Sequence, residues 1–302
     1  MKLKNNLHSL TKPRKILKFL VYKTARIWPD KIFLKMLFPL RVGYKLNLDN
    51  PCTFNEKLQW LKLYNRKPIY TKMVDKADVK DYVADIIGKE YIIPTLGVYK
   101  SVDEIDFDTL PNQFVLKCTH DSGGIVICSD KSKLNINLVK DKLKKGLKRR
   151  YFYQNREWPY KQVNPRIIAE KYMVDESGYE LKDYKIHCFN GTPQVILVCK
   201  DRYAKTGITE DFFSVTWEHL KVKRPLIPNS IVEIPKPQNL DLMLSLSKKL
   251  SADIPFLRVD FYEIKSQVYF GELTFYPASG MGEFVPIEWD NKLGEMIKLP
   301  RE

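Results

Sequence analysis

The residues best suited to chemistry lie in the segment Leu257–Gly280. Arg258 and Asp260 alternate with apolar residues in one strand-like run, and Glu272 and Thr274 do so in the next. Residues two apart in a strand project from the same face, so pairing of the two runs would gather these four side chains. Two carboxylates, with phosphate oxygens completing the shell, suit Mg²⁺. The same spacing also fits a solvated hairpin whose charges pair with lysines.

A second candidate is a glycine-containing loop between two strand-like runs, Gln113–Thr119 and Ile125–Cys128. The backbone N–H groups of such a loop can cover phosphates, and Lys117 would add a point charge nearby. The pattern matches neither a Walker loop nor a dinucleotide-binding turn, and an ordinary hairpin is the alternative. The loop consists of His120, Asp121, Ser122, Gly123 and Gly124.

A third polar face is predicted in a hairpin formed by Gly178–Phe189 and Gln194–Lys200. The dipeptide Asn190-Gly191 between these two β-rich runs is a strong signal for a two-residue hairpin turn. Alternation places three polar residues of the first strand on one face, where they either border a cleft or serve the structure: Asp183, Lys185 and His187.

Composition narrows the class of protein. The chain has 302 residues, of which 44% are hydrophobic and 12% aromatic, as in an ordinary globular protein. Its five cysteines are scattered without a CxxC pair, and its four histidines show no metal-ligand spacing on a helix. We therefore expect buried thiols in a reducing compartment and neither disulfides nor zinc.

The formal net charge of +15 is concentrated in residues 1–45 and in the run Lys131–Arg150. Pro13–Leu40 predicts two basic amphipathic helices, which either lie on an anionic bilayer or pack on the protein with their lysines outward. No run is long and apolar enough to span a membrane, and no signal-peptide core is present. We expect a cytoplasmic protein, with peripheral contact at the inner membrane face as an open alternative. No nucleic-acid module accompanies the basic run, so nucleic acid is not expected as a partner.

Helices are predicted at three further places. Thr53 and Glu56 form a capping box in front of an apolar-periodic run, FNEKLQWLKLYNR. Lys72–Ile87 reads as one helix that ends at Gly88, and Leu240–Leu250 reads as an amphipathic helix before the strand that carries Arg258. None of these three segments predicts chemistry, and packing is the interpretation we favour.

Six segments in this order resemble the ATP-grasp superfamily, and most closely its TupA-like branch, which is associated with bacterial surface-polysaccharide clusters. They are FNEKLQWLKLY, FVLKCTHDSGG, IIAEKY, DYKIHCFNG, LRVDFY and GELTFYPASGMGEF, and they span about residues 50–300. The resemblance implies an α+β ATP-grasp fold, in which the antiparallel sheets of two α+β subdomains grip ATP behind a helical N-terminal region. The implied divisions are a basic region (1–50), a helical lobe (51–112), a nucleotide-covering subdomain (113–170) and a C-terminal subdomain with the metal site (171–302).

The resemblance also implies roles for residues around the nucleotide. Lys117 matches a lysine that contacts the α- and β-phosphates, and Asp121–Gly124 matches a mobile phosphate-covering loop. His120, just before this loop, is assigned to the same nucleotide site. Glu170, with Lys171 and Tyr172 after it, falls where the adenine is held. Asp183 falls where the ribose is bound, and Lys185 is assigned to the same site from the face that it shares with Asp183.

At the reacting end, Asp260 and Glu272 match magnesium ligands, and Arg258 matches an arginine near the γ-phosphate or the reaction intermediate. We count Arg258, Lys117 and Lys185 as candidate catalytic residues. Thr274 stands where the family pattern usually has asparagine. Its hydroxyl could still coordinate the metal or hold a water molecule.

The activity implied by the resemblance is ATP-dependent carboxylate–amine ligation with one or two Mg²⁺ ions, for which Mn²⁺ could substitute. The acceptor carboxylate becomes an acyl phosphate, and an amine then attacks it to give an amide. The polysaccharide context suggests a uronic acid or amino acid, free or within a glycan, as the carboxylate. A sugar kinase, a glycosyltransferase and an inactive membrane-bound scaffold are the alternatives. The nearest Asp-x-Asp motif for a glycosyltransferase is Asp106-Phe107-Asp108, in a polar linker.

Overall fold

The computed structural model of the protein describes residues 13–178, 180–202, 204 and 207–300. The first twelve residues of the predicted basic region lie outside the described residues. So do residues 203, 205 and 206 of the loop 202–211.

The N-terminal third of the chain is helical. Two helices in the predicted basic amphipathic region pack on each other around Phe33, Leu34 and Phe38. Three more helices follow before the first strand. The five are α1 (Pro13–Lys23), α2 (Asp30–Val42), α3 (Phe54–Tyr64), α4 (Ile69–Val74) and α5 (Asp78–Ile87).

A four-stranded antiparallel sheet, here called the small sheet, comes next. Its strands are β1 (Thr95–Tyr99), β2 (Phe114–Cys118), β3 (Ile125–Cys128) and β4 (Ile167–Lys171), in the order β1-β4-β2-β3. Two helices lie between β3 and β4, namely α6 (Ile136–Leu147) and α7 (Phe152–Asn155). Because side chains alternate along β2, Phe114 and Leu116 are buried in the core that includes Leu143 of α6, whereas Lys117 projects from the other face.

A five-stranded antiparallel sheet, here called the large sheet, forms the C-terminal half. Its strands are β5 (Asp183–Phe189), β6 (Thr192–Lys200), β7 (Thr209–Ser214), β8 (Phe256–Ile264) and β9 (Gln267–Thr274), in the order β7-β6-β5-β8-β9. The helix α8 (Leu240–Leu250) precedes β8, and α9 (Glu288–Met296) follows β9. Short 3-10 turns occupy Lys89–Tyr91, Val102–Glu104, Lys131–Lys133, Trp158–Lys161 and Pro277–Gly280.

The predicted turn between β5 and β6 is confirmed. Asn190 and Gly191 have φ values of 49° and 77°, and two consecutive positive φ angles are what a type I′ hairpin turn requires. The predicted capping box is also confirmed, because the Thr53 hydroxyl accepts from Glu56 N while the Glu56 carboxylate accepts from Thr53 N. The predicted α+β class with two antiparallel sheets and a helical N-terminal region is therefore correct.

The N-terminal helices and the large sheet share one core. Phe54 of α3 packs against Phe256 of β8, with ring centroids 4.9 Å apart. Asp290 of α9 is buried at the start of α3, where its carboxylate accepts from Asn55 N (3.0 Å), Asn55 Nδ2 (2.8 Å) and Tyr44 OH (2.7 Å). Segments more than 200 residues apart in the chain are thus joined on one side of the large sheet.

The prediction of one helix over Lys72–Ile87 is wrong. The chain forms two helices, α4 and α5, and the break falls at Asp75. The Asp75 carboxylate accepts from Ala77 N (2.8 Å) and from Arg166 Nη2 (2.9 Å), so a tertiary ion pair turns the backbone here. No proline or glycine marks this position, and periodicity alone therefore continues through it.

The small sheet combines strands from two of the predicted divisions. β1 lies within residues 51–112 and pairs with β4 of residues 113–170. The helices α3–α5, by contrast, contribute to the core of the large sheet.

Candidate active site

A cavity of about 660 Å³ lies between the two sheets. Its apolar walls come from both sheets and from the segment after β4, and they include Val115, Ile125, Met173 and Leu273. Ten of the predicted site residues line it: Lys117, Ser122, Gly123, Glu170, Lys171, Tyr172, Asp183, Lys185, Arg258 and Glu272. Five do not line it directly: His120, Asp121, Gly124, Asp260 and Thr274.

On the small-sheet side, Glu170 of β4 is held between two lysines. Its Oε2 lies 2.6 Å from Lys117 Nζ, and its Oε1 forms an ion pair with Lys80 Nζ. Lys80 projects from α5 and also donates to Ile93 O (2.7 Å) and Thr95 Oγ1 (3.0 Å). This wall of the cavity therefore carries two ammonium groups around one carboxylate.

The protonation of this trio follows from its surroundings. Burial alone would raise the pKa of Glu170, but Lys117 and Lys80 outweigh that effect and lower the pKa below its usual range. Burial lowers the pKa of Lys80, and the Glu170 carboxylate opposes the shift. Glu170 is therefore ionised at neutral pH, and the three groups together carry one net positive charge at the cavity.

The predicted phosphate-covering loop is the β2–β3 turn. Asp121 is buried and does not face the cavity, because its Oδ2 pairs with Arg149 Nη1 (2.7 Å) while its Oδ1 accepts from Gly124 N (3.3 Å). His120 Nε2 donates to Arg149 O (3.0 Å). Only Ser122 and Gly123 of the loop reach the cavity lining. His120 and Asp121, which precede them, anchor the base of the turn through Arg149.

On the large-sheet side, cross-strand pairing sets a row of polar side chains on one face. Lys185 of β5 lies opposite Asp260 of β8, which lies opposite Glu272 of β9, and Arg258 lies opposite Thr274. Lys185 Nζ is 2.6 Å from Asp260 Oδ2. The predicted convergence of Arg258, Asp260, Glu272 and Thr274 is thus confirmed as geometry.

Arg258 lies at the centre of this row. Its Nε donates to Asp260 Oδ1 (2.6 Å), and its Nη2 donates to Asp260 Oδ2 (2.7 Å), Glu272 Oε1 (2.8 Å) and Thr274 Oγ1 (3.0 Å). Burial lowers the pKa values of Arg258 and Lys185, but the nearby carboxylates together outweigh it and raise both, Asp260 with Glu272 for Arg258 and Asp260 with Asp183 for Lys185. Two fixed cations thus balance two carboxylates.

Asp183 extends the row toward the 202–211 loop. Its Oδ2 accepts from Arg202 Nη2 (2.6 Å), and its Oδ1 lies 3.4 Å from Lys185 Nζ. Glu180 fixes this corner, since its two carboxylate oxygens accept from the backbone N–H groups of Asp201 (2.7 Å) and Arg202 (2.9 Å). Glu180 and Arg202 both line the cavity.

His187 is deeply buried and does not line the cavity. Its ring stands 5.9 Å from Phe256 and 6.5 Å from Phe212, and its Nδ1 donates to Lys185 O (3.2 Å). Burial, and then the positive charges of Arg258 and Arg224, lower the pKa of His187 to about 3. The imidazole is therefore uncharged at neutral pH.

The oxygen atoms of the large-sheet row are of the kind that binds a hard cation. Asp260 and Glu272 supply carboxylate oxygens and Thr274 a hydroxyl, which are ligands that Mg²⁺ accepts. Among the described residues, no three His, Cys, Asp or Glu side chains are grouped to hold a metal by themselves. A magnesium ion here would accordingly need further oxygens, and Mg²⁺ characteristically takes these from water and substrate phosphates.

Several cavity residues were not predicted from the sequence. Lys80 could have been found from the sequence, because a lysine beside Val79 on the buried face of an amphipathic helix such as α5 is unusual. No sequence pattern indicates the other three, Glu180, Arg202 and Glu210, because they lie in irregular segments or in an edge strand. The Asp106-Phe107-Asp108 motif forms a turn outside the cavity lining, in which Asp106 Oδ1 accepts from Asp108 N (3.0 Å).

Comparison with known proteins agrees with this architecture. Residues 56–298 match the model of a family described as TupA-like ATPgrasp. No curated protein shows significant similarity to the chain.

Among solved structures, the chain is similar to the D-alanine–D-alanine ligase of Helicobacter pylori, at 15% identity and a TM-score of 0.42, covering 81% of this chain and 69% of that chain. It is also similar to the Bacillus anthracis D-alanine–D-alanine ligase complexed with ATP, at 18% identity and a TM-score of 0.41, covering 74% of this chain and 64% of that chain. The biotin carboxylase of Campylobacter jejuni is similar at 13% identity and a TM-score of 0.42, and the match covers 76% of this chain and 47% of that chain. The chain thus spans less than half of that protein. Because the family model covers most of its length, the chain belongs to the TupA-like ATP-grasp family.

Proposed function

We propose that the protein is an ATP- and Mg²⁺-dependent carboxylate–amine ligase that works through an acyl phosphate. ATP-grasp family members are ATP-dependent ligases that form C–N bonds. The observation that carries the proposal is the pair of facing polar walls. One wall holds Lys117 and Glu170 of the small sheet with Lys80 of α5, and the other holds Arg258, Lys185 and two carboxylates of the large sheet. Phosphoryl transfer needs such fixed charges more than it needs a nucleophilic side chain.

In this proposal each wall has its own task. Lys117 binds the phosphate oxygens of ATP, and Ser122 and Gly123 cover them through the backbone. Lys80, whose three hydrogens go to Glu170, Ile93 O and Thr95 Oγ1, adds positive charge nearby. Gly123 has a φ of 111°, which a residue with a side chain adopts only with strain, so the loop conformation depends on glycine here. The adenine lies near Tyr172 and the apolar wall, and Asp183 serves the ribose.

On the large sheet, Asp260 and Glu272 would hold Mg²⁺, with Thr274 beside them. When bound, the ion would offset negative charge on the phosphates during transfer. Arg258 would stabilise charge on the transferring phosphoryl group and on the acyl phosphate. Lys185 would hold Asp260 in place by its 2.6 Å ion pair and add positive charge beside the phosphates.

The class of the two substrates is a further part of the proposal. The TupA-like branch resemblance supports a uronic acid or amino acid as the carboxylate, joined to an amine in bacterial surface-polysaccharide synthesis. The excess of basic residues suits an anionic glycan or a lipid-linked precursor.

The test is ADP release in the presence of Mg²⁺, ATP and paired panels of uronic acids, amino acids and amines. We expect release that requires both a carboxylate and an amine and that falls about 100-fold or more in Asp260→Asn and Glu272→Gln variants. A product that carries phosphate on a sugar hydroxyl would instead establish a kinase. Failure of the wild-type chain to bind ATP would refute the ligase.

We also propose that the N-terminal region contacts an anionic membrane surface. Residues 13–45 contain nine basic residues and one acidic residue. Of α1, only Val21 is buried, while four apolar side chains stay 42–51% exposed: Ile16, Leu17, Phe19 and Leu20. A helix that pairs exposed apolar residues with lysines is typical of binding at a bilayer interface. No helix among the described residues has the length and apolar character needed to cross a membrane.

Cosedimentation with vesicles tests this surface proposal. We expect binding to phosphatidylglycerol vesicles, weaker binding to phosphatidylcholine vesicles, and loss of binding in a Leu17→Glu, Phe19→Glu variant. A matched variant, Leu226→Glu, changes an apolar side chain that is 95% exposed far along the chain, and it should bind as the wild type does. Equal binding to both lipids, or no effect of the α1 changes, would contradict it.

A further inference from the structure

A second cavity, here called the N-terminal cavity, lies between the last turns of α1 and α2 and the short helix α7. Its volume is about 510 Å³. None of its lining residues also lines the cavity between the two sheets, so it is separate from the candidate active site. Most of its lining side chains are polar or charged: Tyr22, Lys23, Arg26, Arg41, Gln154 and Asn155.

Arg156 joins the two sides of the N-terminal cavity. It ends α7 in the left-handed conformation, with a φ of 59°, and the residue is only 1% exposed. Its Nη2 donates to Ala25 O and to Trp28 O (3.1 Å), and its Nη1 donates to Tyr153 O (3.1 Å). The turn after α1 and the helix α7 are therefore held in one arrangement, and the cavity is built into the fold.

A chain of hydrogen bonds positions the polar groups of this cavity. Arg41 Nη1 donates to Tyr22 OH (3.2 Å), and that hydroxyl donates to Asn155 Oδ1 (3.2 Å). The backbone of Asn155 is fixed in turn, because its carbonyl accepts from Lys62 Nζ (2.8 Å). Among the described residues, no further acceptor binds the side chains of Arg41 and Asn155. Their remaining N–H groups are therefore available to a ligand.

The three cations of the N-terminal cavity have no carboxylate partner. Within the part of the chain that the structure describes, Lys23, Arg26 and Arg41 form no ion pair, and no acidic residue lines the cavity. Asp30 is the one acidic residue of the segment 13–45, and it already forms ion pairs with two arginines outside the lining. The cavity consequently carries a net positive charge.

The helix dipoles explain only part of this charge. Lys23 and Arg41 lie in the last turns of α1 and α2, where a positive charge offsets the negative end of a helix. Arg26 lies beyond α1, and its guanidinium stands 5.6 Å from the ring centroid of Tyr153 on the cavity wall. Like charges are also crowded here, since burial and then Arg41 lower the pKa of Lys18. Cations kept together in this way attract an anion.

The donors favour a phosphate group over a single carboxylate. Guanidinium groups bind phosphate oxygens through paired hydrogen bonds, and a phosphate monoester brings a charge of about −2 to the three cations. The cavity also adjoins an apolar surface, because Lys23 Nζ stands 5.4 Å from the ring centroid of Phe19, which is 51% exposed on α1. A phosphate attached to an apolar chain would find a matching surface for each of its two parts.

We propose that the N-terminal cavity binds a phosphate monoester or diphosphate group through Arg26, Arg41 and Lys23, with the Asn155 amide as a further donor. The group belongs either to a free phosphorylated ligand or to a lipid whose chain lies along α1. The site is independent of the proposed ligase chemistry. It differs from the proposed membrane surface, because it recognises one chemical group in a cavity, whereas the surface responds to the total charge of a bilayer.

Two binding measurements on the full chain test this site. Calorimetry uses inorganic phosphate, with Mg²⁺ and a non-hydrolysable ATP analogue saturating so that the active site is filled. Cosedimentation compares phosphatidylcholine vesicles that contain phosphatidic acid, a phosphate monoester, with vesicles that carry the same charge as phosphatidylglycerol. We expect the wild type to bind inorganic phosphate or to prefer the phosphatidic acid vesicles.

The variant Arg26→Gln, Arg41→Gln should bind the same probe about tenfold more weakly or worse, because charge-assisted hydrogen bonds are lost. Tyr22→Phe keeps every charge but releases Arg41, and it should weaken binding about threefold. The control is Lys31→Gln, Lys35→Gln, which removes the same charge from exposed positions of α2 outside the cavity lining. It should bind as the wild type does.

A wild type that neither binds phosphate nor prefers phosphatidic acid would overturn the site. So would a control that loses as much affinity as the Arg26, Arg41 variant, since total charge alone would then explain the binding. Binding of inorganic phosphate identifies a free ligand, whereas a response confined to phosphatidic acid identifies a lipid. A wild type without affinity for the ATP analogue contradicts the ligase, and the comparison of variants still decides the N-terminal cavity.

Discussion

Lys185 and Asp260 face each other on neighbouring strands of the large sheet, with Nζ 2.6 Å from Oδ2, and Arg258 grips the same carboxylate from its other side. Asp260 is 1% exposed, so its charge compensates two cations with little help from water. Its neighbour Glu272 has a side chain that is 45% exposed. The two proposed magnesium ligands therefore differ sharply in what they do for the fold.

This difference leads to a prediction about stability. Asp260→Asn leaves Lys185 and Arg258 without their shared counter-charge, and we expect the free energy of unfolding to fall by about 3–5 kcal/mol. Glu272→Gln removes a half-exposed partner and should cost less than about 1 kcal/mol. Urea unfolding of both variants gives the comparison. Equal losses would mean that Asp260 is not the electrostatic centre of the row.

A second prediction concerns magnesium. Because Lys185 and Arg258 already balance Asp260 and Glu272, the two carboxylates proposed to bind the metal exert little net attraction on a free cation. We expect calorimetry to show that Mg²⁺ alone binds about tenfold or more weakly than Mg²⁺ together with a non-hydrolysable ATP analogue. Tight binding of Mg²⁺ to the chain without nucleotide would contradict this expectation.

The trio of Glu170, Lys117 and Lys80 gives a prediction about pH. The pKa of Glu170 is lowered in the folded chain, so its contribution to stability is present above the unfolded pKa and is lost as pH falls through the folded one. At neutral pH, Glu170→Gln leaves the buried Lys80 without a carboxylate and should cost about 3 kcal/mol. The difference in the free energy of unfolding between the wild type and Glu170→Gln should become smaller as the pH falls from about 5 to about 3.

Denaturant unfolding of the two proteins at a series of pH values measures this narrowing. A difference that stays constant down to pH 3 would show that Glu170 is not held ionised by the two lysines. Glu104→Gln, at an exposed carboxylate outside the cavity lining, serves as the matched change.

The fourth prediction concerns Lys62, whose side chain is fully buried beneath the turn Pro277–Gly280. Its Nζ donates to Ser279 O (2.7 Å), Asn155 O (2.8 Å) and Gln59 Oε1 (2.9 Å), which uses all three of its hydrogens. Lys62→Met would strand these acceptors, and we expect a loss of about 3 kcal/mol in the free energy of unfolding.

The turn that Lys62 supports contains Ala278 and Ser279 at φ values of 49° and 59°, so it depends on such fixed contacts. Thermal and urea unfolding measure the effect. Lys67→Met, at an exposed lysine five residues later, should stay within about 0.5 kcal/mol of the wild type. A similar small change in Lys62→Met would contradict the role assigned to this residue.

Local patterns predicted the parts of the site that lie on regular strands. Alternation alone placed Arg258, Asp260, Glu272 and Thr274 on one face, and the Asn-Gly turn fixed the register of Asp183 and Lys185. These relations repeat every two residues and need no tertiary information.

The rest depends on contacts between distant segments. The break at Asp75 is caused by its pair with Arg166, 91 residues later, and no local signal encodes it. Lys80 reaches Glu170 only because α5 packs beside the small sheet. Arg224 lies in an irregular segment whose position is set by pairing of its neighbour with Val285. The sequence names such residues but does not bring them together.

The shared core of α3 and the large sheet also constrains synthesis of the protein. Phe54 packs against Phe256, and Asn55 is held by Asp290, so the apolar face of α3 leaves the ribosome some 200 residues before its partners. The core of the small sheet, by contrast, is built from residues 99–169 and can close while the chain is still growing. The nascent protein should therefore expose the apolar, aggregation-prone face of α3 until α9 has been synthesised. Its dependence on chaperones should be greatest in that interval.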